Sequence, residues 1–231
     1  MATGDDDVEI YVTDAHPCPN CGTDAPAHFC PQCGQRQEPV PTLRRWIEES
    51  TEDLLSVERG AVRTVRTLLN EPGRLTREWL DGRRARWVPP FRLYLFATLA
   101  FFTISLFVPM IEARVDAGHL DDPADLVEDL AVREQLREAT PQALFVLMPV
   151  FAILLKLGFW RQAPYVGHLV HALHLHAAAF LVMILFWLGF RLPLGFTIAL
   201  GIILGLWLVT YLLRSIRRAY GVPRWRAWLE G

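Results

Sequence analysis

Lysine is nearly missing from this chain: of its 23 basic residues, Lys156 alone is a lysine. That bias follows genome composition, so the choice of arginine at any one place carries no argument. An excess of charge is missing too. A formal net charge of −2 excludes the broad basic surplus of a nucleic-acid binder, and nucleic acid is not an expected partner. No cleavable leader is visible, because residues 1–14 (MATGDDDVEIYVTD) are acidic and lack a basic segment ahead of an apolar core. The first membrane helix is then expected to act as the insertion signal. Carboxylates are absent from the long apolar runs. This weakens a hydrolase or a dinuclear-metal enzyme, both of which use paired acids.

What is present is sharply segregated. Apolar residues make up 52% of the chain and aromatics 11%, and most of the polar character lies ahead of Pro90. Beyond it come four apolar runs, 91–111, 142–160, 168–190 and 193–213, each near the ~20 residues that cross a hydrocarbon core. The expected fold is therefore an all-α membrane protein with about four transmembrane helices, the last two forming a tight hairpin around Arg191-Leu192. Pro109 and Pro149 are expected to mark a helix end and a kink.

Five regions follow from this patterning: a disordered acidic lead (1–16), a cysteine knuckle (17–37), a cytoplasmic and interfacial helical segment (42–88), a membrane domain (89–213) and a basic tail (214–231). The membrane domain contains an acidic connector, 112–140, in which Asp122-Pro123 reads as a helix start. In the helical segment Thr42 is a plausible N-cap. Apolar residues from Leu43, Trp46 and Ile47 to Leu68 and Leu69 recur at helical spacing, Gly60 breaks the run, and Pro72-Gly73 ends it. Residues 74–87 (RLTREWLDGRRARW) interleave arginine with leucine and tryptophan. Lying just before a span, they read as an interfacial helix and turn, with Arg83, Arg84, Arg86 and Trp87 meeting lipid headgroups. A plain solvated connector is the competing reading.

Arginines set the orientation. Arg74, Arg77, Arg83, Arg84, Arg86 and Arg92 precede or open the first run, and Arg214, Arg217, Arg218, Arg224 and Arg226 follow the last. The first connector holds three arginines and the final hairpin one. The positive-inside rule then puts both termini in the cytoplasm of a multi-pass inner-membrane protein and the acidic connector outside.

All four cysteines fall in Cys18-x2-Cys21-x8-Cys30-x2-Cys33, written CPNCG and FCPQCG. Each CxxCG makes a tight knuckle, and two of them bring four thiolates round one tetrahedral ion, the pattern of a structural zinc site. So short a stretch buries no core of its own, and metal binding, about 10–16 kcal/mol in small zinc modules, must fold it. Two disulfides are disfavoured by a cytoplasmic location, while iron of the rubredoxin type uses the same ligands. With every position taken by cysteine, catalysis at the metal is not expected. His16 and His28 are not needed as ligands.

The third run opens with four histidines in nine residues, His168, His171, His174 and His176. At 100° per residue the first three share a face of ~120°, and His176 sits ~80° beyond His168. Ionisable groups at membrane depth face the bundle interior, and Lys156 lies at similar depth. One reading is a polar site for a metal, a proton or an anion. The other is interhelical hydrogen bonding, with Lys156 snorkelling to the headgroups. Gly201-x3-Gly205 allows close helix approach, inside the bundle or to a second copy.

Taken together, Cys18-x2-Cys21-Gly22, Phe29-Cys30-x2-Cys33-Gly34-Gln35, Glu71-Pro72-Gly73, Gly82-Arg83-Arg84, Trp87-x2-Pro90-x3-Tyr94 and the Tyr165–His176 run resemble an uncharacterised bacterial family of membrane proteins, known as a domain of unknown function. In that family the last run reads tyrosine, glutamate-histidine, phenylalanine, then two histidines one residue apart. His168, His174 and His176 match, whereas Gly167 replaces the acid and His171 the phenylalanine. The resemblance implies architecture and membrane placement but no activity, and the missing acid removes a candidate metal ligand. The expected role is a non-enzymatic interaction or regulatory protein with a structural zinc ribbon and a cytoplasmic protein partner. Alternatives are a small-solute, proton or metal transporter built on the histidines, as a homo-oligomer, and, with less support, a membrane metalloenzyme.

Overall fold

The structure is a computed structural model that describes residues 16–25, 28–37, 41–44, 46–47, 60–116, 146–189 and 194–221. Six helices occur among these residues: α1 (Ala61–Asn70), α2 (Arg74–Leu80), α3 (Pro90–Asp116), α4 (Val146–Gly158), α5 (Tyr165–Gly189) and α6 (Leu194–Tyr220). Ahead of them β1 (His16–Pro17) and β2 (Asp24–Ala25) pair antiparallel, His16 facing Ala25. A single bridge joins Phe29 and Arg36. The chain is thus mostly helical, with a small β-knuckle at its start.

Several boundaries follow the local chemistry. Trp46 donates its amide to Thr42, the turn expected behind that N-cap, whereas the rest of the expected run up to Gly60 lies outside the described residues. α1 stops at Glu71, ahead of Pro72, and Gly73 opens α2 in the left-handed region at φ 76°, where glycine carries no steric cost. α3 begins at Pro90, and a proline suits a first helical turn because it lacks the amide hydrogen that would go unpaired there. The expectation that Pro109 ends this helix is corrected, since α3 continues to Asp116; an interior proline removes one hydrogen bond, and the long flanking helix absorbs that loss. α6 likewise runs past the expected end of the membrane domain to Tyr220. Alanine and arginine extend a helix well, and Ala219 and Tyr220 are buried against Phe159. Arg214, Arg217 and Arg218 therefore belong to α6. Most of the acidic connector, including Asp122-Pro123, lies outside the described residues.

The core forms where α3 crosses α5. Tyr94, Ala97 and Phe101 of α3 pack with Val170, Leu173, Ala177 and Phe180 of α5, and the Phe101 and Phe180 rings lie 5.2 Å apart at 34°. Ala172, Ala177 and Ala178 are fully buried; such small side chains let neighbouring helices approach closely. Apart from its four histidines α5 is apolar on every side, as suits a helix enclosed by others or by lipid.

Two helical segments, Tyr165–Phe186 and Gly195–Tyr220, are long and apolar enough to cross a membrane, and Pro90–Ser105 and Val146–Gly158 are shorter apolar helices. Four spans are therefore an expectation that two helices meet by length and composition. In the Gly195–Tyr220 segment only 11% of the most apolar window is buried, leaving Phe196, Ile198, Ile202, Ile203, Leu206 and Val209 exposed. At Gly201 an added Cβ would come within 3.3 Å of Phe186, while nothing lies within 4 Å of one at Gly205.

A close backbone approach joins the start of α2 to α6. A Cβ on Gly73 would lie 2.3 Å from the Ser215 carbonyl oxygen, and an alanine would also strain the positive φ. Gly73→Ala should therefore cost about 3 kcal/mol or more, read as a lowered unfolding midpoint of the detergent-solubilised protein, while an alanine at the open Gly205 should leave that midpoint nearly unchanged.

Candidate metal centre and histidine cluster

Both cysteine knuckles close in the same way. The amide of Gly22 donates to Cys18 and that of Gly34 to Cys30, at 2.8 and 2.9 Å, while Cys18 and Cys30 donate to Thr23 and Gln35. Gly22 and Gly34 each take a positive φ, 80° and 70°, which frees the turn to bring its two sulfurs together. The four Sγ atoms lie within 4.8 Å of one another, with Cys18–Cys33 at 3.7 Å and Cys21–Cys30 at 3.4 Å. A tetrahedral ion bound at about 2.3 Å sets its sulfurs about 3.8 Å apart, so the group can hold a metal ion. Burial raises the Cys18 thiol, but the amides of Cys21 and Asn20 and the Gln37 side chain outweigh it and bring Cys18 down to about 6. Burial instead pushes Cys30 up to about 11. An ion entering here displaces protons from the set unequally.

The knuckle is docked on the helical domain. Gln35 donates its side-chain amide to the Gly82 carbonyl, and its carbonyl oxygen accepts from the amides of Arg84 and Ala85, both at 3.0 Å. Arg86 reaches Asn20 twice, at its side chain and at its backbone carbonyl (2.8 Å). A Cβ on Gly82 would sit 3.3 Å from Pro19. One glutamine side chain thus holds three backbone groups of the 82–85 loop.

The four residues expected at lipid headgroups make protein contacts. Arg86 binds Asn20 and lies 3.9 Å from Glu78, Arg83 pairs with Asp81 at 2.9 Å, and Arg84 covers the Trp79 ring at 4.4 Å. Trp87 is buried and donates its indole N–H to Glu78 at 2.7 Å. Glu78, which carried no signal in the sequence, is the hub of this loop, because its other oxygen accepts from Arg74 at 3.0 Å. Burial raises its carboxyl, but the Arg74 and Trp87 hydrogen bonds and the charges of Arg74 and Arg86 outweigh that and hold it below the ordinary 4.5.

The histidines separate as the helical arithmetic implies. His168, His171 and His174 are buried, whereas His176 is half-buried, donates to its own helix at Ala172 (2.8 Å) and stands edge-on to Phe151. His174 Nδ1 meets the Thr76 hydroxyl of α2 at 3.0 Å. His168 Nε2 lies 3.1 Å from the Ala163 carbonyl, which can only accept, so that nitrogen carries a proton. In a neutral ring Nδ1 must then accept, and it does so from the Tyr220 hydroxyl at 2.7 Å. The same hydroxyl oxygen accepts from His171 Nδ1 at 3.0 Å. His171 Nε2 is left to accept from Ser215 at 2.8 Å. Lys156 shares the Ala163 carbonyl at 3.0 Å and also donates to Trp160. Every ring nitrogen of His168 and His171 is thereby taken by protein. Tyr220 and Ser215 of α6 and Thr76 of α2 are the partners that no spacing rule could supply. Gly167, in place of the acid of the resembling family, packs under Leu80, where a Cβ would come within 2.7 Å of Leu80 Cδ2.

The family described as "Protein of unknown function (DUF3667)" matches residues 58–102. Over that stretch the chain is similar to it. The match spans α1, α2, the 82–85 loop and the first half of α3, the surface on which the knuckle is seated. No curated protein and no solved structure matches the chain.

Two outcomes test this geometry. Glu78 contributes stability through a depressed carboxyl, so that contribution is present above pH 4.5, the ordinary value, and is lost as pH falls through the lower folded value. Glu78→Gln keeps an acceptor for Trp87 but should remove this part of the acid dependence, measured by unfolding midpoints between neutral pH and pH 3. Tyr220→Phe strands two buried imidazole nitrogens and should cost about 3 kcal/mol, with the metal content unchanged.

Proposed function

We propose that this chain is a multi-pass inner-membrane protein, with both termini in the cytoplasm, whose knuckle binds one structural zinc and serves as a non-enzymatic interaction or regulatory module. The observation that carries this reading is the seat of the knuckle: Gln35 grips the 82–85 loop, a few residues ahead of α3. A metal that folds the knuckle therefore also organises the juxtamembrane surface. Four cysteines leave no coordination position for substrate, which favours a structural over a catalytic ion.

The membrane reading is supported by the apolar exterior of α6 and by Val146, Leu147, Ile153, Leu154 and Leu157 exposed along α4. Such surface is costly in water and at rest in lipid. The acidic 112–140 connector is then extracytoplasmic, and the arginines at the end of α6 are cytoplasmic. Phe29 stays largely exposed, with the Arg36 guanidinium 5.7 Å from its ring centre. It offers an aromatic contact to a cytoplasmic protein. Transport or catalysis through the histidines has less support, because His168 and His171 have no nitrogen left for a metal.

Replacing Cys18 and Cys21 by serine should remove one zinc per chain and abolish partner capture, while the protein still resists alkaline extraction from membranes. Undiminished capture by the zinc-free form would overturn the interaction reading. A second metal that tracks His174 and His176 in elemental analysis would favour the transporter.

A further inference from the structure

Between the 82–85 loop and α5 lies a cavity of about 190 Å³. Three tryptophans, Trp46, Trp79 and Trp87, wall it, Arg83 and Arg84 bring positive charge, and His174 reaches it from α5. Among the described residues no carboxylate lines it, while Asp81 stands beside it, paired with Arg83 at 2.9 Å. His174 is 95% buried by its 5% exposure, and Thr76 takes its Nδ1. No protein hydrogen bond to its Nε2 occurs among the described residues, and His174 belongs to the lining of the cavity. If the Thr76 hydroxyl donates to Nδ1, Nε2 carries the proton and is a donor. The cavity thus gathers two guanidinium groups, one imidazole nitrogen and aromatic walls.

We propose that this cavity binds the phosphate of a small phosphate ester, with Arg83 and Arg84 pairing its oxygens and His174 Nε2 donating to it. Guanidinium groups match phosphate in geometry as well as in charge, and an entering phosphate would share Arg83 with Asp81. Size narrows the class. At about 30 Å³ for each water the space equals about six waters, enough for a glycerophosphate headgroup. It is well below the roughly 300–1,000 Å³ of a drug-sized or nucleotide ligand site. The ester is either a free metabolite or the headgroup of a phospholipid whose chains stay outside. The lipid source rests on the membrane reading above, and the free source does not.

The test uses the full-length zinc-loaded protein, stripped of lipid in a non-ionic detergent. Calorimetric titration with sn-glycerol 3-phosphate and with inorganic phosphate reads the free source. Native mass spectrometry after reconstitution with phosphatidylglycerol reads retained phospholipid. Binding of one equivalent in either arm is expected, weakened about tenfold by Arg83→Gln and more by His174→Asn. Arg83 is a half-exposed rim residue, so its variant should fold and keep its zinc, which checks that a loss is local. Saturation in the first arm assigns a soluble ester, and retention in the second alone assigns a lipid. The proposal is overturned if neither arm shows one equivalent up to millimolar concentration, or if Arg83→Gln binds as the parent does. Alkaline extraction of membranes is scored separately, so a failed membrane reading and a failed phosphate site give different results.

Discussion

The turn Glu71-Pro72-Gly73 crosses the backbone of Ser215 with no room for another carbon, and that crossing sets what every neighbouring side chain can reach. With α2 held this close, Thr76 arrives at His174 and Leu80 lies over Gly167. On the other side of the crossing the Ser215 hydroxyl meets His171, Tyr211 donates to the Leu68 carbonyl at 2.7 Å, and Arg218 reaches Glu71 at 3.2 Å. None of these contacts would survive a shift of a few ångströms between α2 and α6. A residue without a side chain is thus the register mark between α2 and the long helices.

From that junction a second set of bonds runs outward. Glu78 holds Trp87 and Arg74 in a setting where each buried polar group must find a partner. The loop beyond it is gripped by Gln35, and Gln35 follows directly on the second knuckle. The cysteine group, the loop and the start of α3 are therefore linked through the Gln35 side chain and the backbone amides and carbonyl that it holds. Backbone groups keep their hydrogen-bonding character whatever side chain they carry, so this linkage tolerates variation in the arginines.

The periodic and the spaced features were legible in the sequence. Four cysteines at CxxC spacing come together because the spacing itself makes the turn, and Pro72-Gly73 ends a helix for reasons internal to those two residues. The split of three buried histidines from His176 follows from helical geometry. What lay beyond reach depends on pairs far apart in the chain. Gln35 and Ala85, Thr76 and His174, and His171 and Ser215 are separated by 50, 98 and 44 residues. The arginine-rich stretch shows the limit most clearly. Its composition reads as a headgroup surface but does not name the partners its side chains take within the protein, Asp81, Trp79 and Asn20, because composition reports charge and not the direction in which charge points.

The bonds through Tyr220 also have a sense. Protons point one way from Ser215 through His171, Tyr220 and His168, and the sequence ends on a carbonyl that can never give one back. A wire that relays protons by hopping must turn round after each passage. Here the reverse order is satisfied only when His168 holds an extra proton, placing a second cation on the carbonyl that Lys156 already occupies. Like charges confined to one weakly polar spot repel strongly. In this arrangement the network fastens α5 and α6 to one another.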